Sequence, residues 1–287
     1  MKKLLRVHRS SDKHWVGNGF PVSSIFSYND FGRELSPFLL LDYAAPHKFP
    51  PSEERRGVGE HPHRGFETVT IAYQGEIEHR DSSGGGGIIR EGDVQWMTAG
   101  SGIVHEEFQS HEFTRKGGTL QMVQLWVNLS AKNKTVKPRY QSLINAEIPK
   151  IALPQDGYVC IVAGEYAGHK GLAKTFSPIN LWDVSLPAEK SAELQLPNGH
   201  TTAFLVLSGN VTVNSEREAN GGDLAIFART GESIVIKAKT DAKLLVMDGE
   251  PIEEPIVGQG PFVMNTADEI HQAIADYQNG RMGHLTT

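Results

Sequence analysis

The sequence predicts an all-β protein built from two related barrels in tandem and closed by a C-terminal α-helix. Three observations lead to this fold class. Short strand-like segments separated by Gly, Pro and Asn dominate the chain, a pattern from the first half recurs in the second half, and one well-marked helical stretch lies near the end. Many short strands at close spacing, with few helical periods, are typical of β-sandwiches and barrels.

The strand-like segments are apolar runs rich in β-branched and aromatic residues, and turn-forming residues bound them. They are Thr68–Tyr73, Glu76–Arg80, Gly118–Leu129, Tyr158–Val162, Thr202–Leu207, Asn210–Val213, Ser233–Lys239 and Lys243–Met247. A run of glycines at Gly84–Gly87 resembles a phosphate-binding loop, but no Gly-Lys-Ser/Thr follows it. We therefore interpret it as a flexible turn between strands.

The second half of the chain echoes the first. When Gly209 is set on Gly75, residues 198–211 follow the same order of strand, glycine turn and strand as residues 63–77. A Gly-Asp turn that leads into a strand also occurs once in each half. The repetition predicts two related barrels with a boundary between about 130 and 150. We assign residues 1–135 to the first barrel and residues 136–287 to the second, which carries the helix.

The C-terminal helix has a clear start and stop. Thr266 and Glu269 have the spacing of a capping box. Apolar residues then recur at helical spacing, at Ile270, Ala273, Ile274 and Tyr277. Gly280 is a typical stop. We predict a helix over about 267–279 that packs its apolar stripe onto a barrel, which leaves His271 without a chemical role.

Composition narrows the function classes. The 287 residues carry a net charge of −6, so the chain offers no general attraction for nucleic-acid phosphates. No apolar stretch approaches the roughly 20 residues that a membrane span needs, and the start lacks a run of signal-peptide length. The single Cys160 excludes an intramolecular disulfide framework. We expect a cytoplasmic protein.

Two short blocks in the first half have the spacing of metal ligands. His61 and His63 are two residues apart, as are His105 and Glu107. Residues i and i+2 of a strand point to the same face, so two such strands facing each other can surround one ion. The alternative is that these are surface histidines on polar strands, since a lone His-x-His is common. The surrounding sequence favours the metal site.

The second half lacks an equivalent of this motif. In the registers set by the two glycine turns, His61 and His63 fall on Gln195 and Pro197, while His105 and Glu107 fall on Val235 and Lys237. His200 is an isolated imidazole beside a turn, which is typical of a surface or supporting position. The sequence therefore predicts one metal site, in the first barrel.

The residues around both blocks resemble the pirin family of the cupin superfamily. The segments that carry the resemblance are His61–Val69, Gly92–Glu107, Pro37–Asp42 and Gly260–Thr266. The resemblance spans nearly the whole chain. It implies two cupin barrels, that is, double-stranded β-helix or jelly-roll barrels, with one iron in the first.

The family pattern implies four metal ligands: His61, His63, His105 and Glu107. Glu67 is the rival carboxylate, because general cupins often use the glutamate of the first motif. We favour Glu107, which shares strand parity with His105. Glu106 should then point away.

Three other polar residues lie near these blocks in the sequence: His79, Asp81 and His111. None pairs with a second ligand at suitable spacing. We expect them at solvent-facing strand positions.

Three imidazoles and one carboxylate suit Fe(II), Mn(II), Ni(II), Cu(II) or Zn(II), and the resemblance favours iron. The resemblance also implies quercetin 2,3-dioxygenase activity, the oxidative opening of a flavonol by O₂ with release of carbon monoxide. Glu107 would then serve both as ligand and as the base that accepts the flavonol hydroxyl proton.

Two other functions stay open. In one, iron is a redox-sensing element, and the protein acts by binding a transcription factor or a metabolic enzyme. In the other, the metal is purely structural. We expect a monomer, because two barrels in one chain supply the pairing that single cupins obtain by dimerising.

Overall fold

The computed structural model describes residues 1–10 and 13–285. Its α-helices are α1 (Tyr28–Phe31), α2 (His111–Lys116) and α3 (Ala267–Gln278), and short 3₁₀ turns lie at Ala131–Asn133, Asn145–Glu147 and Pro154–Asp156. The strands are β1 (Leu4–Arg9), β2 (Lys13–Val16), β3 (Phe20–Ser27), β4 (Phe38–Phe49), β5 (Gly57–His63), β6 (Phe66–Gln74), β7 (Ile77–Asp81), β8 (Gly86–Ile89), β9 (Val94–Thr98), β10 (Ile103–Gln109), β11 (Gly118–Asn128), β12 (Arg139–Leu143), β13 (Lys150–Ala152), β14 (Tyr158–Ala163), β15 (Glu165–Tyr166), β16 (His169–Lys170), β17 (Ile179–Leu186), β18 (Ser191–Gln195), β19 (Thr201–Ser208), β20 (Asn210–Val213), β21 (Arg217–Asn220), β22 (Asp223–Phe227), β23 (Ser233–Ala238), β24 (Ala242–Gly249), β25 (Val257–Gln259) and β26 (Phe262–Met264). The predicted all-β class is confirmed.

The chain divides into two compact units. The first barrel comprises Asp12–Arg33, Phe38–Asn145 and Ile252–Thr287, and the second barrel comprises Met1–Ser11, Glu34–Pro37 and Ala146–Pro251. This division differs from the predicted ranges of 1–135 and 136–287. The N-terminal strand β1 pairs with β22 of the second barrel, and β12 pairs with β9 of the first. Strand pairing between segments distant in sequence leaves no local signal from which these exchanges could be read.

Each barrel contains one seven-stranded and one four-stranded antiparallel sheet. In the first barrel the strand orders are β12-β9-β6-β11-β4-β3-β2 and β5-β10-β7-β8. In the second barrel they are β1-β22-β19-β24-β17-β14-β13 and β18-β23-β20-β21. The order is the same when β6 is matched with β19 and β10 with β23, so the repeat seen in the sequence is a repeat of topology.

The helix α3 belongs to the first barrel. The predicted capping box is present, with the Thr266 hydroxyl accepting from the Glu269 backbone N–H and the Glu269 carboxylate accepting from the Thr266 N–H. Ile270 and Ala273 are buried against Val104 and Phe262. The helix thus packs the end of the chain beside β10. No helix among the described residues is long and apolar enough to cross a membrane.

Candidate metal centre

The two predicted blocks lie on neighbouring antiparallel strands. His61 and His63 are on β5, and His105 and Glu107 are on β10. His105 is paired directly with His61, and Ile103 with His63. Because alternate strand residues share a face, the three imidazoles point to the same side of this sheet.

The three imidazoles form a tight cluster. The ring centroids of His61 and His105 are 4.2 Å apart, those of His63 and His105 are 4.8 Å apart, and those of His61 and His63 are 5.0 Å apart. One ring nitrogen from each lies within 4.8 Å of the other two. This spacing is suitable for three ligands of one ion.

Burial keeps two of these imidazoles in the neutral form that can bind a cation. His105 is fully buried and His63 is 3% exposed. Desolvation, reinforced by the neighbouring histidines, lowers the pKa of both rings well below the ordinary histidine value. Both are therefore neutral near pH 7 and carry a free lone pair. Nε2 of His105 is buried with no hydrogen-bond partner among the described residues, as expected of an atom that faces an ion.

The second ring nitrogen of each histidine has a neighbour that can orient it. Nδ1 of His61 lies 2.8 Å from the Gly59 carbonyl oxygen, and Nδ1 of His63 lies 3.4 Å from that of Pro261. An Nδ1–H that donates to a carbonyl fixes the tautomer and leaves Nε2 as the ligand. Backbone carbonyls therefore fix the ring orientation of two of the three imidazoles.

Glu107 lies beside His105 in the same barrel interior. It is 5% exposed, and its two oxygens accept separate hydrogen bonds, from the Thr70 hydroxyl at 3.2 Å and from the Gln124 amide at 2.8 Å. One carboxylate oxygen of Glu107 lies within 4.8 Å of ring nitrogens of His79 and His105. The carboxylate is thus held next to the imidazole cluster.

Glu67 faces a different set of partners. It lies on β6, and Oε1 of its carboxylate accepts a hydrogen bond of 2.7 Å from the Thr98 hydroxyl. Burial raises the pKa of Glu67 to about 7. Among the described residues it belongs to no group of side chains close enough to surround an ion. Glu106 points away from the cluster, to Arg80 at 2.6 Å.

The predicted solvent-facing positions of His79 and Asp81 are wrong, because both side chains are buried. Nδ1 of His79 lies 3.3 Å from Nδ1 of His105, and Nε2 of His79 lies 3.2 Å from the Asp81 carboxylate. The ring of His79 also stacks on Tyr140, with centroids 5.3 Å apart. His111 is exposed as expected, but it begins helix α2 instead of lying on a strand.

A signal for His79 was present in the sequence. His79 and Asp81 have the same i, i+2 spacing as the two recognised blocks. Their strand β7 pairs with β10, with Glu107 opposite His79 and His105 opposite Asp81. Without the strand order, nothing indicated that a third strand would flank His105.

A small cavity opens onto this cluster. It measures about 40 Å³. Its polar lining residues are Asp42, His61, Glu107 and Gln124, and its apolar lining residues are Val16, Phe20, Val22, Val58, Ile77 and Met122. The cavity therefore brings Glu107 and His61 to one mostly apolar space.

The second barrel has aliphatic side chains where the first has this cluster. Ile77 pairs with Gln109 in the first barrel, and Val211, which follows the equivalent glycine turn, pairs with Ala238. His105 and Glu107 then correspond to Ile234 and Ile236. The remaining equivalents are Leu194 on β18 for His61, Leu196 immediately after β18 for His63, and Val213 on β20 for His79.

The predicted register was therefore wrong by one residue on both strands. Gln195 and Lys237 are exposed on the outer face, whereas Leu194, Leu196, Ile234 and Ile236 belong to the buried core. A slip of one residue moves a side chain to the opposite face of a strand. The corrected positions offer no ligand atoms either.

Fold and site together define a two-barrel protein of cupin type with a candidate metal centre in its first barrel. The sequence model described as Pirin matches residues 19–127, and the one described as Pirin C-terminal cupin domain matches residues 181–283. The chain belongs to the pirin family.

Several relatives resemble the chain over most of its length. A protein of Pseudomonas aeruginosa named "Putative quercetin 2,3-dioxygenase" is 55% identical over 98% of each chain. Human Pirin is 36% identical over 88% of this chain and 84% of its own. A crystal structure of quercetin 2,3-dioxygenase from Acinetobacter baumannii matches with a TM-score of 0.97 at 53% identity, over 100% of both chains.

Proposed function

We propose that the protein is an iron-dependent dioxygenase that opens a flavonol ring with O₂ and releases carbon monoxide. His61, His63, His105 and Glu107 would hold one Fe(II). The observation that carries the proposal is the cluster of His61, His63 and His105, with the Glu107 carboxylate beside His105 and a mostly apolar cavity that His61 and Glu107 line. The name of the 55% identical relative supports the substrate class.

The donor set fits such an ion. Three imidazoles and one carboxylate, with no thiolate, suit a borderline divalent metal, and Mn, Ni, Cu and Zn are the alternatives to iron. Iron bound there would supply Lewis acidity and electron transfer toward O₂. Binding of the ion needs no proton release from His63 and His105, because burial already keeps both rings neutral.

In this proposal Glu107 is also the base that accepts the 3-hydroxyl proton of the flavonol. Its carboxylate lines the cavity, so it is within reach of a bound molecule. Thr70 and Gln124 donate to different carboxylate oxygens and restrict its rotation. A base held in this way can take a proton without first searching for its orientation.

Substrate size is the main constraint on this function. A cavity of about 40 Å³ is far smaller than the roughly 300–1,000 Å³ of pockets that hold drug-sized ligands. O₂ fits this space, but a flavonol does not. Flavonol binding therefore requires wall side chains such as Phe20 and Met122 to move outward.

The test is turnover of quercetin by iron-loaded protein under O₂. The amount of carbon monoxide released should equal the amount of O₂ consumed, and His61→Ala should abolish both. The exposed His111→Ala is the matched control and should behave as wild type. Equal carbon monoxide from wild type and His61→Ala would exclude the proposed centre from the reaction.

The small size of the cavity supports a second candidate function, an iron-dependent regulatory protein that binds a transcription factor or a metabolic enzyme. For this function no flavonol need enter. The distinguishing result is a protein partner whose affinity differs between the Fe(II) and Fe(III) forms, in a protein that releases no carbon monoxide from quercetin.

A further inference from the structure

The second barrel holds a buried polar cluster of its own. Asp248 on β24 is fully buried and accepts three hydrogen bonds. They come from the Thr202 hydroxyl at 2.8 Å, from the Asn180 amide at 2.9 Å and from Nδ1 of His200 at 2.9 Å. We call these four residues the His200 cluster. A buried carboxylate is costly unless partners offset its desolvation, and here three donors and the charge of the Lys2 ammonium supply that offset.

Strand pairing identifies the first-barrel residues that are equivalent to the His200 cluster. Asp248 pairs with Thr202 and Asn180, as Trp126 pairs with Thr68 and Leu40. His200, two residues before Thr202, then corresponds to Phe66, two residues before Thr68. In the first barrel Phe66 and Trp126 stack with centroids 4.3 Å apart.

The polar interior side chains of the two barrels thus lie on different strands. The first barrel has imidazoles on β5, β7 and β10 and an aromatic stack on β6 and β11. The second barrel has aliphatic side chains on the three equivalent strands, and it has the His200 cluster where the aromatic stack would be.

The His200 cluster opens onto a groove of about 340 Å³. His200 and Asn180 line it, together with Glu165, Lys170 and Thr175, and Pro178, Ile179 and Pro197 form its apolar walls. The side chain of His200 is 16% exposed. Its Nδ1 is committed to Asp248, so Nε2 is the nitrogen that remains for a bound molecule.

Two close backbone contacts position the residues of the groove. A Cβ at Gly164 (φ +78°) would lie 2.0 Å from Oδ1 of Asn180, so only glycine lets this loop approach the cluster. The buried Lys2 ammonium donates to the carbonyl oxygens of His200 and Arg229, at 3.1 and 2.8 Å. Both contacts fix the position of the histidine backbone and of its neighbour Asn180.

We propose that this groove is a second ligand site, which takes a small molecule bearing an acidic hydroxyl, either a carboxylic acid or a phenol. A phenol O–H donates to Nε2 of His200. A carboxylate, already ionised near neutral pH, instead accepts from the Nε2–H of a ring that has taken its proton from solvent. Asp248 stabilises the charge of that ring, and Lys170 offsets the charge on the ligand oxygen. The apolar walls cover the body of the ligand. This site is independent of the metal centre and of the reaction proposed there.

The experiment is titration of the full-length protein with benzoate and, separately, with 4-nitrophenol, followed by calorimetry and by histidine-selective ¹⁵N NMR. We expect saturable binding of at least one probe and a shift of the His200 Nε2 resonance. Benzoate alone would identify a carboxylic acid site, and 4-nitrophenol alone a phenol site. His200→Phe, which installs the first-barrel residue, and Asp248→Asn should each weaken binding at least tenfold.

Two controls separate this site from others. His169→Ala removes an exposed histidine of the same barrel, and His61→Ala disrupts the candidate metal centre, and neither should change the affinity. Absence of saturable binding by both probes, wild-type affinity in His200→Phe, or loss of binding in His61→Ala would overturn the proposal. If His200→Phe does not fold, an unchanged His200 resonance in saturated wild-type protein would overturn it equally.

Discussion

His79 and His105 face each other through their Nδ1 atoms at 3.3 Å, and the far nitrogen of His79 lies 3.2 Å from the carboxylate of Asp81. All three side chains are buried. A carboxylate at the end of such a chain makes His79 a better acceptor for His105 Nδ1–H, which raises the basicity of Nε2 of His105. His79 and Asp81 therefore support the candidate ligand on β10.

Substitution His79→Phe tests this support. The ring stack on Tyr140 can persist, but His105 loses the acceptor for its Nδ1–H. We expect the dissociation constant for Fe(II) to rise by about 10- to 100-fold. Anaerobic competition with a chelator measures it, with His111→Phe, on an exposed helix, as control. An unchanged constant in His79→Phe would mean that the contact does not tune the metal.

The choice between the two candidate carboxylates is tested by two matched variants. Glu107→Gln should lower the affinity for the metal, because a neutral amide replaces the anion beside His105. Glu67→Gln should leave metal content unchanged, because in the part of the chain that the structure describes Glu67 belongs to no group of side chains close enough to surround an ion. Metal analysis of both proteins, purified in parallel, decides the matter, and the reverse pattern would make Glu67 the ligand.

The raised pKa of Glu67 predicts that the stability of the protein depends on pH. Burial raises its pKa from 4.5 to about 7, so the folded state keeps a proton that the unfolded state releases between these values. The stability that this contributes is full below pH 4.5 and is lost as the pH rises through about 7, by about 3 kcal/mol at most.

Urea unfolding of the metal-free protein at pH 4.5 and pH 8 measures this contribution. His63 and His105, whose pKa values burial lowers, make an opposite contribution that rises with pH and is common to all variants. The change in unfolding free energy from pH 4.5 to pH 8 should therefore be more favourable in Glu67→Gln than in wild type. Glu91→Gln, at an exposed carboxylate, should retain the wild-type change. Equal changes in wild type and Glu67→Gln would show that the Glu67 carboxyl titrates normally.

Enlarging the cavity should favour a flavonol. Met122 lines the cavity, and Met122→Ala should lower the KM for quercetin several-fold at a cost in stability of about 2–5 kcal/mol. Leu120→Ala, on the same strand and in the same core but away from the cavity, is the control for lost stability. Steady-state kinetics measure both, and an equal KM in Met122→Ala and wild type would mean that the substrate enters elsewhere.

Local patterns predicted much of this molecule. The i, i+2 spacing of His61 and His63, and of His105 and Glu107, predicted that each pair shares a strand face, because strand alternation depends only on adjacent residues. The meeting of the three imidazoles also depends on the pairing of β5 with β10. The capping box of α3 was equally local. The family resemblance added the two-barrel topology.

Long-range pairing accounts for what the sequence did not reveal. The position of His79 depends on β7 lying beside β10, and the corrected equivalents in the second barrel depend on loops that differ by one residue between the halves. The equivalence of the His200 cluster to Phe66 and Trp126 likewise depends on strand pairing. Neither register nor strand order can be read from hydrophobic pattern alone.

The proposed centre would hold one metal ion in the first barrel, and the second barrel would hold none. Elemental analysis of freshly purified wild type and His105→Ala, each quantified per chain, measures this. We expect one ion per chain in wild type and a nearly complete loss in His105→Ala. Full metal content in His105→Ala, or two ions per chain in wild type, would exclude the proposed centre.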